Sequence, residues 1–462
     1  MKRFFYSALF LLGTSVSVLA GGLVTNSNQS ASFLRNPARD GVIDIDGVYT
    51  NPAGVCFLPA GFHLGLTIQH PEQQRNVTTT FPTLALNSNH LGESTRLYKG
   101  QASAPVVPSF QAAYVMDKWT FSASFAFSGG GGKCEFDNGI GSIESVLSLV
   151  PASVAKQMGY GIGTYTYAMD SYMKGRQYYY GLQLGAGYKI NEHVAVFGGL
   201  RAIIGDATYS GYVRNIKFAS ADNTATAPYT AGVVNAVNAQ LGDIEMTTDQ
   251  SCVGWTPVIG VDWHINEHWN LAAKYEFRTK MNLKNSSDMN DMARSQSALD
   301  KFNDQKTQYV RDDIPGTLGI GVQYTPVDGV RINGGFHFYD DCNAKKYNDE
   351  QKLIDSGTRE FLLGAEWDVT KLLTVSAGWQ NTHYSLSDAY MQDMSYNCSS
   401  NLIGLGVRLN VSEKVSVDLG YMHNFYDKRT VANDNYMNTG LSKTDVYERK
   451  NDVVAVGVNL NF

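Results

Sequence analysis

The feature that most constrains this chain is a two-residue alternation of apolar and polar side chains that recurs along almost its whole length. In Phe62–Gln69 every even position is apolar and every odd position is polar or glycine. Trp119–Ser128 repeats the pattern, and Val454–Phe462 repeats it again at the end of the chain. Successive side chains of a β-strand point to opposite faces, so each segment has one apolar face and one polar or small face. We therefore predict an all-β fold.

The number and spacing of these segments separate a membrane barrel from a soluble sandwich. We count about fourteen, many of them at least as long as the ~9–11 residues that cross a bilayer at a tilt, whereas soluble strands average ~5–6. Tight turns such as Asp117–Lys118 and Asp328–Gly329 alternate with long polar stretches, at 131–175, 206–250, 283–310 and 340–357. Short turns at one end and long loops at the other are typical of outer-membrane barrels. Residues 59–462 are predicted to form a transmembrane antiparallel β-barrel of about 14 strands in the cell outer membrane.

Both ends of the chain fit export and membrane insertion. Lys2 and Arg3 precede an apolar stretch that ends in the small-residue cleavage pattern of Val18–Ala20, so residues 1–20 are predicted to be a signal peptide. Phe462 closes the last alternating segment, where the barrel assembly machinery is expected to recognise it. Aromatic residues at strand ends are predicted to form a membrane girdle: Trp119, Tyr188, Trp263, Trp269, Tyr324 and Trp367.

Charge and cysteine usage narrow the possible partners. The formal net charge of −6 argues against nucleic acid as a ligand. The five cysteines show no metal-binding spacing, and we predict no metal and no cofactor. Because export is oxidising, two disulfides are expected at the rim. Four cysteines allow three pairings, and proximity favours Cys134–Cys252 and Cys342–Cys398. Nucleophile-elbow and zinc-protease motifs are absent from the sequence, so an enzyme is not predicted.

The segment before the first strand differs from the rest of the chain. Residues 21–58 lack alternation and mix small, polar and turn-forming residues with a few apolar ones. A barrel of about fourteen strands has a lumen too wide for its own side chains to fill. We predict that 21–58 is a hatch folded inside the lumen, the alternative being a disordered periplasmic tail.

Within this segment, Asn51-Pro52-Ala53-Gly54 lies shortly before the first strand, and Val107–Phe127 forms a strand pair around an Asp-Lys-Trp turn. Both features resemble FadL-type outer-membrane transporters of long-chain fatty acids and other hydrophobic compounds, including the toluene and xylene transporters. The resemblance implies fourteen strands, a hatch that contains Asn51 to Gly54, and passive uptake of a hydrophobic compound. It also implies release by hatch movement through a lateral opening at a kinked third strand. Gly129, Gly130 and Gly131 are the expected kink, or else the start of a long loop.

Residues 140–156 contain apolar positions at helical spacing, namely Ile143, Val146, Leu147, Val150 and Val154. This stripe predicts an amphipathic helix in an extracellular loop. An exposed apolar face there would collect a hydrophobic substrate. The other interpretation is that the stripe packs the loop onto its neighbours.

Charged residues on the polar face of the strands form a further candidate set. Lys274, Glu276 and Arg278 alternate with apolar residues, so all three are predicted to face the lumen. A basic member could pair with a substrate carboxylate. A charge network that braces the hatch is the interpretation we favour.

Two other functions fit the same fold. A general porin would pass small polar solutes, but a plug-like N-terminus is not expected of it. A surface receptor or adhesin, including a haem-binding one, would depend on the long loops, and the histidines are scattered singly. The expected surroundings are outer-membrane lipids and lipopolysaccharide, and a monomer is expected because a filled barrel needs no trimer.

Overall fold

The computed structural model of the protein describes residues 29–221, 228–294 and 308–462. The predicted signal peptide, 1–20, and the first residues of the predicted hatch lie outside this part of the chain. In the described residues, the wall is one antiparallel sheet of eighteen strand segments. Their bounds are β1 Gly61–Thr80, β2 Thr95–Ser103, β3 Val107–Val115, β4 Trp119–Phe136, β5 Tyr165–Lys189, β6 Val194–Ser220, β7 Ile244–Asn266, β8 Trp269–Glu276, β9 Asn282–Met289, β10 Tyr309–Arg311, β11 Thr317–Val327, β12 Val330–Tyr339, β13 Ile354–Asp368, β14 Leu373–Leu386, β15 Ser400–Ser412, β16 Val415–Tyr426, β17 Arg429–Asn433 and β18 Lys443–Asn461.

These segments make fourteen wall strands, because four of the strands are each built from two consecutive segments. The two-segment strands are β2 with β3, β8 with β9, β10 with β11, and β16 with β17. The sheet closes where β1 pairs with β18 from His63 opposite Asn461 to Thr80 opposite Thr444. The backbones of Phe62 and Phe462 also exchange two hydrogen bonds, of 3.1 and 2.9 Å. The predicted fourteen-stranded antiparallel barrel is therefore confirmed.

The outer face of the wall is apolar, as a lipid-facing surface must be. Leu66 and Ile68 on β1 and Val454 and Val456 on β18 are all exposed on this face. Near the short turns the expected aromatic residues lie together: the rings of Trp119 and Tyr188 are 4.8 Å apart, and those of Trp269 and Tyr324 are 4.2 Å apart. The wall has the apolar outer face and the short turns at one end that are typical of an outer-membrane barrel.

The wall extends further toward the long-loop end than the sequence predicts. Much of 131–175 and 206–250 is strand, because β5 begins at Tyr165, β6 continues to Ser220 and β7 begins at Ile244. These extensions looked like loops because their outward residues, such as Arg176 and Asp206, are polar. Four helices accompany the wall in the described residues: α1 Ala31–Arg35, α2 Gly141–Gln157, α3 Pro228–Asn238 and α4 Asp291–Arg294. No helix in the described ranges is long and apolar enough to span a membrane.

Residues 29–60 lie inside the wall. Helix α1 packs against β14, β15, β16 and β18, while two 3-10 turns, Ile45–Val48 and Gly54–Phe57, contact β1 and the β3–β7 side. Almost all of the segment is buried, including both of its arginines, Arg35 and Arg39, at 1% exposure each. The N-terminal segment therefore fills the lumen.

Glycines on the inner face of the wall allow the hatch backbone to approach closely. At each of these positions a Cβ atom would collide with a hatch residue; they are Gly321, Gly364, Gly378, Gly404, Gly406 and Gly420. At Gly404, for example, the added carbon would meet the carbonyl oxygen of Leu34. Close approach of two backbones is a common reason for glycine inside a strand. These glycines therefore determine where the hatch backbone packs against the wall.

Candidate functional site

The wall is interrupted between its second and third strands. β4 pairs with β3 as far as Phe125 opposite Phe110, and pairs with β2 again only at Glu135 opposite Gln101. Within the described residues, 126–134 of β4 and 102–109 of the neighbouring strand have no partners across this boundary. Eight strand residues span roughly 25 Å. The barrel therefore has a lateral break in its hydrogen-bonded wall.

Glycines lie at the same level of β4. The pairing of β4 with β5 shifts register between Phe127 and Gly129 and again between Gly129 and Gly132. Gly130 has φ +107° and Gly132 has φ +69°, conformations that side chains rarely adopt. A β-bulge of this kind bends a strand and ends its pairing. Gly129, Gly130 and Gly131 lie inside the strand and do not begin the loop, because β4 continues to Phe136.

A hatch residue occupies the break. Gln29 donates from Nε2 to the carbonyl oxygen of Phe127 at 2.8 Å. On the facing strand, Ser109 at the edge of the break and Gln111 in the adjoining paired part each donate a hydrogen bond of 2.8 Å to the backbone oxygen of Gln29. A backbone group left unpaired away from water is costly. Gln29 thus links both strand edges where they do not link each other.

Buried ion pairs hold the hatch to the opposite side of the wall. Glu366 on β13 lies 2.9 Å from Arg35 and 3.1 Å from Arg39, and Asp418 on β16 lies 3.0 Å from Arg35. Arg408 on β15 reaches back to hatch residue Asp44 at 2.8 Å. The carboxylates and guanidiniums alternate between hatch and wall, so the network braces the hatch.

The Asn-Pro-Ala-Gly motif lies on the β6–β7 side of the lumen. Asn51 donates to the carboxylate of Asp262 at 2.6 Å, and its side-chain oxygen accepts from the backbone N–H of Gly54 at 3.1 Å. Pro52 lies against Gly260, and Ala53 packs with Phe197 and Val258. The motif makes a tight turn that is tied to the wall by one buried carboxylate.

Two of the three predicted lumen charges belong to the same hatch-bracing arrangement. Lys274 donates to the backbone oxygen of Tyr49 at 2.7 Å and lies 2.8 Å from Glu276, which also pairs with Arg201 at 2.6 Å. Arg278 does not join them, because β8 ends at Glu276. The guanidinium of Arg278 instead donates to the Asn343 carbonyl at 2.6 Å. The expectation that all three share one lumen-facing strand is therefore corrected for Arg278.

A small cavity separates the hatch from β8, β11, β12 and β13. Its volume is about 40 Å³, and its lining includes Phe33, Tyr49 and His337. His337 lies 3.0 Å from hatch residue Asp40 and 2.8 Å from Glu360 on the wall. A larger polar cavity of about 510 Å³ opens beneath the hatch at the short-turn end, beside Lys371, Arg408 and Asn410.

The predicted helix exists as α2, but its apolar stripe is not exposed. Ile143, Val146, Leu147, Val150 and Val154 are at most 8% exposed and belong to a large apolar cluster on the inner face of the long strands. The expected open landing surface is therefore corrected: the spacing is helical, and the stripe packs the loop into the mouth of the barrel at its long-loop end. The same cluster contains five buried methionines, Met169, Met173, Met246, Met289 and Met394.

Polar anchors fix this helix as a cap over the mouth. Glu144 is buried and accepts hydrogen bonds from Asn87, Arg96, Tyr98 and Tyr167. At the start of the helix, the N–H of Ser142 donates to Asp393, a loop residue, at 2.8 Å. Burial and the neighbouring Asp445 carboxylate raise the pKa of Asp393.

The expected disulfides are not formed, and all five cysteines of the described residues are free. Cys134 is on β4 and Cys252 on β7, so β5 and β6 lie between them. Strands are ~4.8 Å apart, and a disulfide needs Cα atoms within ~7 Å. Cys342 and Cys398 share one apolar cluster but remain thiols. The described residues contain no cluster of side chains suited to a metal ion.

Sequence reasoning missed several residues that join the hatch to the wall. Gln29 is one polar residue in a polar stretch and carries no distinguishing signal. Asp40 and His337 are also isolated in the sequence, and only the fold brings them together.

Comparisons with known proteins agree with this geometry. Neither family models nor curated proteins match the chain. A solved FadL homologue from Pseudomonas aeruginosa superimposes with a TM-score of 0.67 at 12% identity, covering 96% of this chain and all of that one. The toluene transporters TodX of Pseudomonas putida and TbuX of Ralstonia pickettii give TM-scores of 0.57 and 0.52 at 12% and 10% identity. They cover 91% and 96% of this chain, and 95% and 99% of their own. The chain therefore has the FadL-type fold.

Proposed function

We propose that this FadL-type barrel is an outer-membrane channel for passive uptake of hydrophobic compounds, a long-chain fatty acid or a similar lipophile, and not an enzyme. The observation that carries the proposal is the break between β3 and β4 in a barrel whose lumen is plugged. A plugged lumen blocks a straight aqueous route, whereas a lateral break offers a path into the membrane.

The physical problem for such a channel is to move an apolar solute past the polar lipopolysaccharide layer. Each CH₂ group gains ~0.8 kcal/mol on leaving water, so the solute needs continuous apolar surface. The apolar cluster under the cap supplies that surface, with the α2 stripe from Ile143 to Val154 on one side of it. Methionine adapts its shape to varied ligands, which suits a site that accepts more than one lipophile. Capture therefore requires the cap to loosen.

Release is proposed to run through the break. Displacement of Gln29 frees the Phe127 carbonyl and separates Ser109 from Phe127, which leaves the unpaired strand edges open to the lumen. Phe125 and Phe127 flank the break together with Tyr178 and Tyr180, and their rings lie 5.0 to 6.4 Å apart. A solute leaving sideways would meet this aromatic surface and then lipid. The hatch segment around Asn51 to Gly54 is proposed to move with Gln29.

The proposed function also implies the surroundings of the barrel. Outer-membrane lipids and lipopolysaccharide contact the outer face, Phe462 serves recognition by the assembly machinery, and the barrel acts as a monomer. A porin for polar solutes is disfavoured by the hatch contacts around the lumen. No observation in the described residues favours a haem-binding receptor.

Closing the break with a covalent link tests the proposal. Val107 and Ser128 lie on opposite edges of the break, so we would replace both by cysteine, in a background with the native cysteines changed to serine. A short bifunctional thiol reagent with reducible bonds would then join them. We expect uptake of radiolabelled dodecanoate by a transporter-deficient bacterium to fall on cross-linking and to recover on reduction.

The matched control is Ala113→Cys with Ser122→Cys, which are direct partners in the intact part of the β3–β4 ladder. Cross-linking there joins strands that are already paired, so uptake should not change. Undiminished uptake through the linked Val107–Ser128 variant would refute lateral release. Absence of dodecanoate uptake together with free passage of small sugars would instead identify a porin.

A further inference from the structure

Two arginines face each other on the inner side of the barrel seam. Arg75 on β1 and Arg449 on β18 are direct cross-strand partners. Their neighbours of the same parity, Val77 and Tyr447, are buried in an inner apolar cluster, which places both guanidiniums on the lumen side. Arg75 is only 8% exposed and Arg449 is half-buried. Two positive charges thus lie side by side in the barrel interior.

Neither arginine has an acidic partner among the residues that the structure describes. In the described part of the chain no carboxylate lies within ion-pair distance of either one, and the nearby acids are engaged elsewhere: Asp445 pairs with Lys443, and Glu448 with Lys428. The lumen charges around the hatch are different, because each of those arginines contacts at least one carboxylate.

The contacts that Arg75 and Arg449 do make are neutral. Arg75 donates from Nη2 to the Tyr396 carbonyl at 2.9 Å and stacks over the Tyr396 ring at 4.8 Å. Arg449 lies over the Tyr426 ring at 4.9 Å, and Gln73, with its amide oxygen turned toward it, accepts from Nη2 at 2.7 Å. The Nε of Arg75 is buried without an acceptor among the described residues. Both side chains are held in place, with donor capacity unused.

This arrangement is unfavourable in the absence of a ligand. Like charges directly opposite on a sheet repel each other, and a buried cation without a counter-ion is costly. A carboxylate would relieve both, because guanidiniums bind it through short charge-assisted hydrogen bonds. Arg449 is partly exposed, so one of the two guanidiniums is accessible to solvent.

The surroundings suit an anion that carries an apolar tail. Tyr396 and Tyr426 belong to one apolar cluster, and Phe136 of the large cluster under the cap packs beside Gly100, the residue opposite Arg75 on β2. The wall break begins two residues further along that same strand, at residue 102. A head group bound here would leave its tail between the cap and the break.

We propose that Arg75 and Arg449 form a binding site for the carboxylate of the transported compound, so that the substrate class is an anionic amphiphile and not a neutral hydrocarbon. The inference rests on the proposed function and names its substrate class. The two arginines select by charge, and the apolar clusters accept the tail.

The test compares two ligands that differ only in the head group. Full-length protein in nanodiscs would be immobilised, and binding of radiolabelled dodecanoate and dodecanol measured by scintillation proximity. We expect Arg75→Gln and Arg449→Gln each to weaken dodecanoate binding by about tenfold or more, with dodecanol changed by less than about twofold. Arg449→Lys should recover part of the loss because it keeps the charge. Arg176→Gln, whose partner Asp206 lies on the outer face, is the matched control.

Thermal unfolding of the ligand-free variants separates binding from bracing. Removal of one of two repelling charges should leave the unfolding temperature unchanged or raise it. Equal losses for dodecanoate and dodecanol, or a clear drop in unfolding temperature, would overturn the site. If the wild-type protein binds both ligands and the arginine substitutions leave dodecanoate binding unchanged, this inference alone is overturned. Wild-type protein that binds neither ligand would overturn the proposed function with it.

Discussion

The buried carboxylate of Glu366 offers the sharpest perturbation of the hatch. It lies 2.9 Å from Arg35, 3.1 Å from Arg39 and 3.1 Å from Arg331, and it is 5% exposed. Replacement by glutamine keeps the shape of the side chain but removes the charge that two buried hatch arginines share. We expect Glu366→Gln to release the hatch from the wall while the barrel itself stays folded.

The expected loss of hatch-docking free energy depends on the ion pairs that each arginine keeps in the variant. Removal of one partner of a buried ion pair costs about 3–5 kcal/mol. Arg35 keeps Asp418 at 3.0 Å, and Arg39 keeps Asp46 at 2.8 Å, so the lower end of that range applies. At 1.4 kcal/mol per factor of ten, about 3 kcal/mol raises the undocked population roughly a hundredfold.

Trypsin provides a direct assay because Arg35 and Arg39 are themselves cleavage sites and are inaccessible in the docked hatch. We expect cleavage of the folded variant at these positions to accelerate strongly, and brief conductance bursts to appear in planar bilayers. The control is Asp368→Asn, which removes the partly exposed pair with Arg331 and alters the hydrogen bond that Thr374 donates, but touches no hatch contact. Wild-type rates of cleavage and wild-type conductance in Glu366→Gln would refute the bracing role of the network.

Three further outcomes are expected. Gly404→Val places a side chain against the Leu34 carbonyl and should undock the hatch, measured as increased conductance, whereas Gly198→Val, which meets open space, should not. Leu147→Ala should destabilise the cap by about 2–5 kcal/mol and speed hydrogen exchange across α2, and unchanged exchange would contradict the packing described. Because the pKa of Asp393 is raised above its usual 3.8, the folded cap binds a proton more readily than the unfolded loop. Cap stability should therefore fall as pH rises from about 4 through the raised pKa, and Asp393→Asn should remove that dependence in exchange rates corrected for pH.

The barrel could be predicted because its signal is local. A two-residue period repeated over many segments needs no knowledge of distant contacts, and the position of the hatch follows from the loss of that period before Gly61. The ends of the long strands could not be predicted, since polar outward residues such as Arg176 and Asp206 look the same on a strand above the membrane as in a loop. The α2 stripe was predicted at the right spacing, but its burial depends on β5 and β6, which sequence periodicity does not position.

Less of the candidate site could be predicted from the sequence, because the site consists of contacts between residues that are far apart in the chain. Arg75 and Arg449 lie on the polar faces of the first and last strands, and they become neighbours only when the barrel closes. The sequence shows that both arginines face the lumen once the barrel is assumed to close. It does not show that the described residues place no carboxylate beside them. The glycines of β4 were visible, whereas the unpaired edge of β3 and the position of Gln29 required the fold.

The most direct test of lateral release is to locate the substrate as it leaves. A dodecanoate analogue with a photoreactive group at the end of its tail would be bound to the full-length protein in nanodiscs, activated, and its adducts mapped by mass spectrometry. If release is lateral, we expect adducts on the edges of the wall break, at Phe127 and its neighbours on β4 and at 104–109 on the facing strand. Adducts concentrated instead in the cavity beneath the hatch, at Lys371, Asn410 and Glu413, would show release into the periplasm and contradict lateral release.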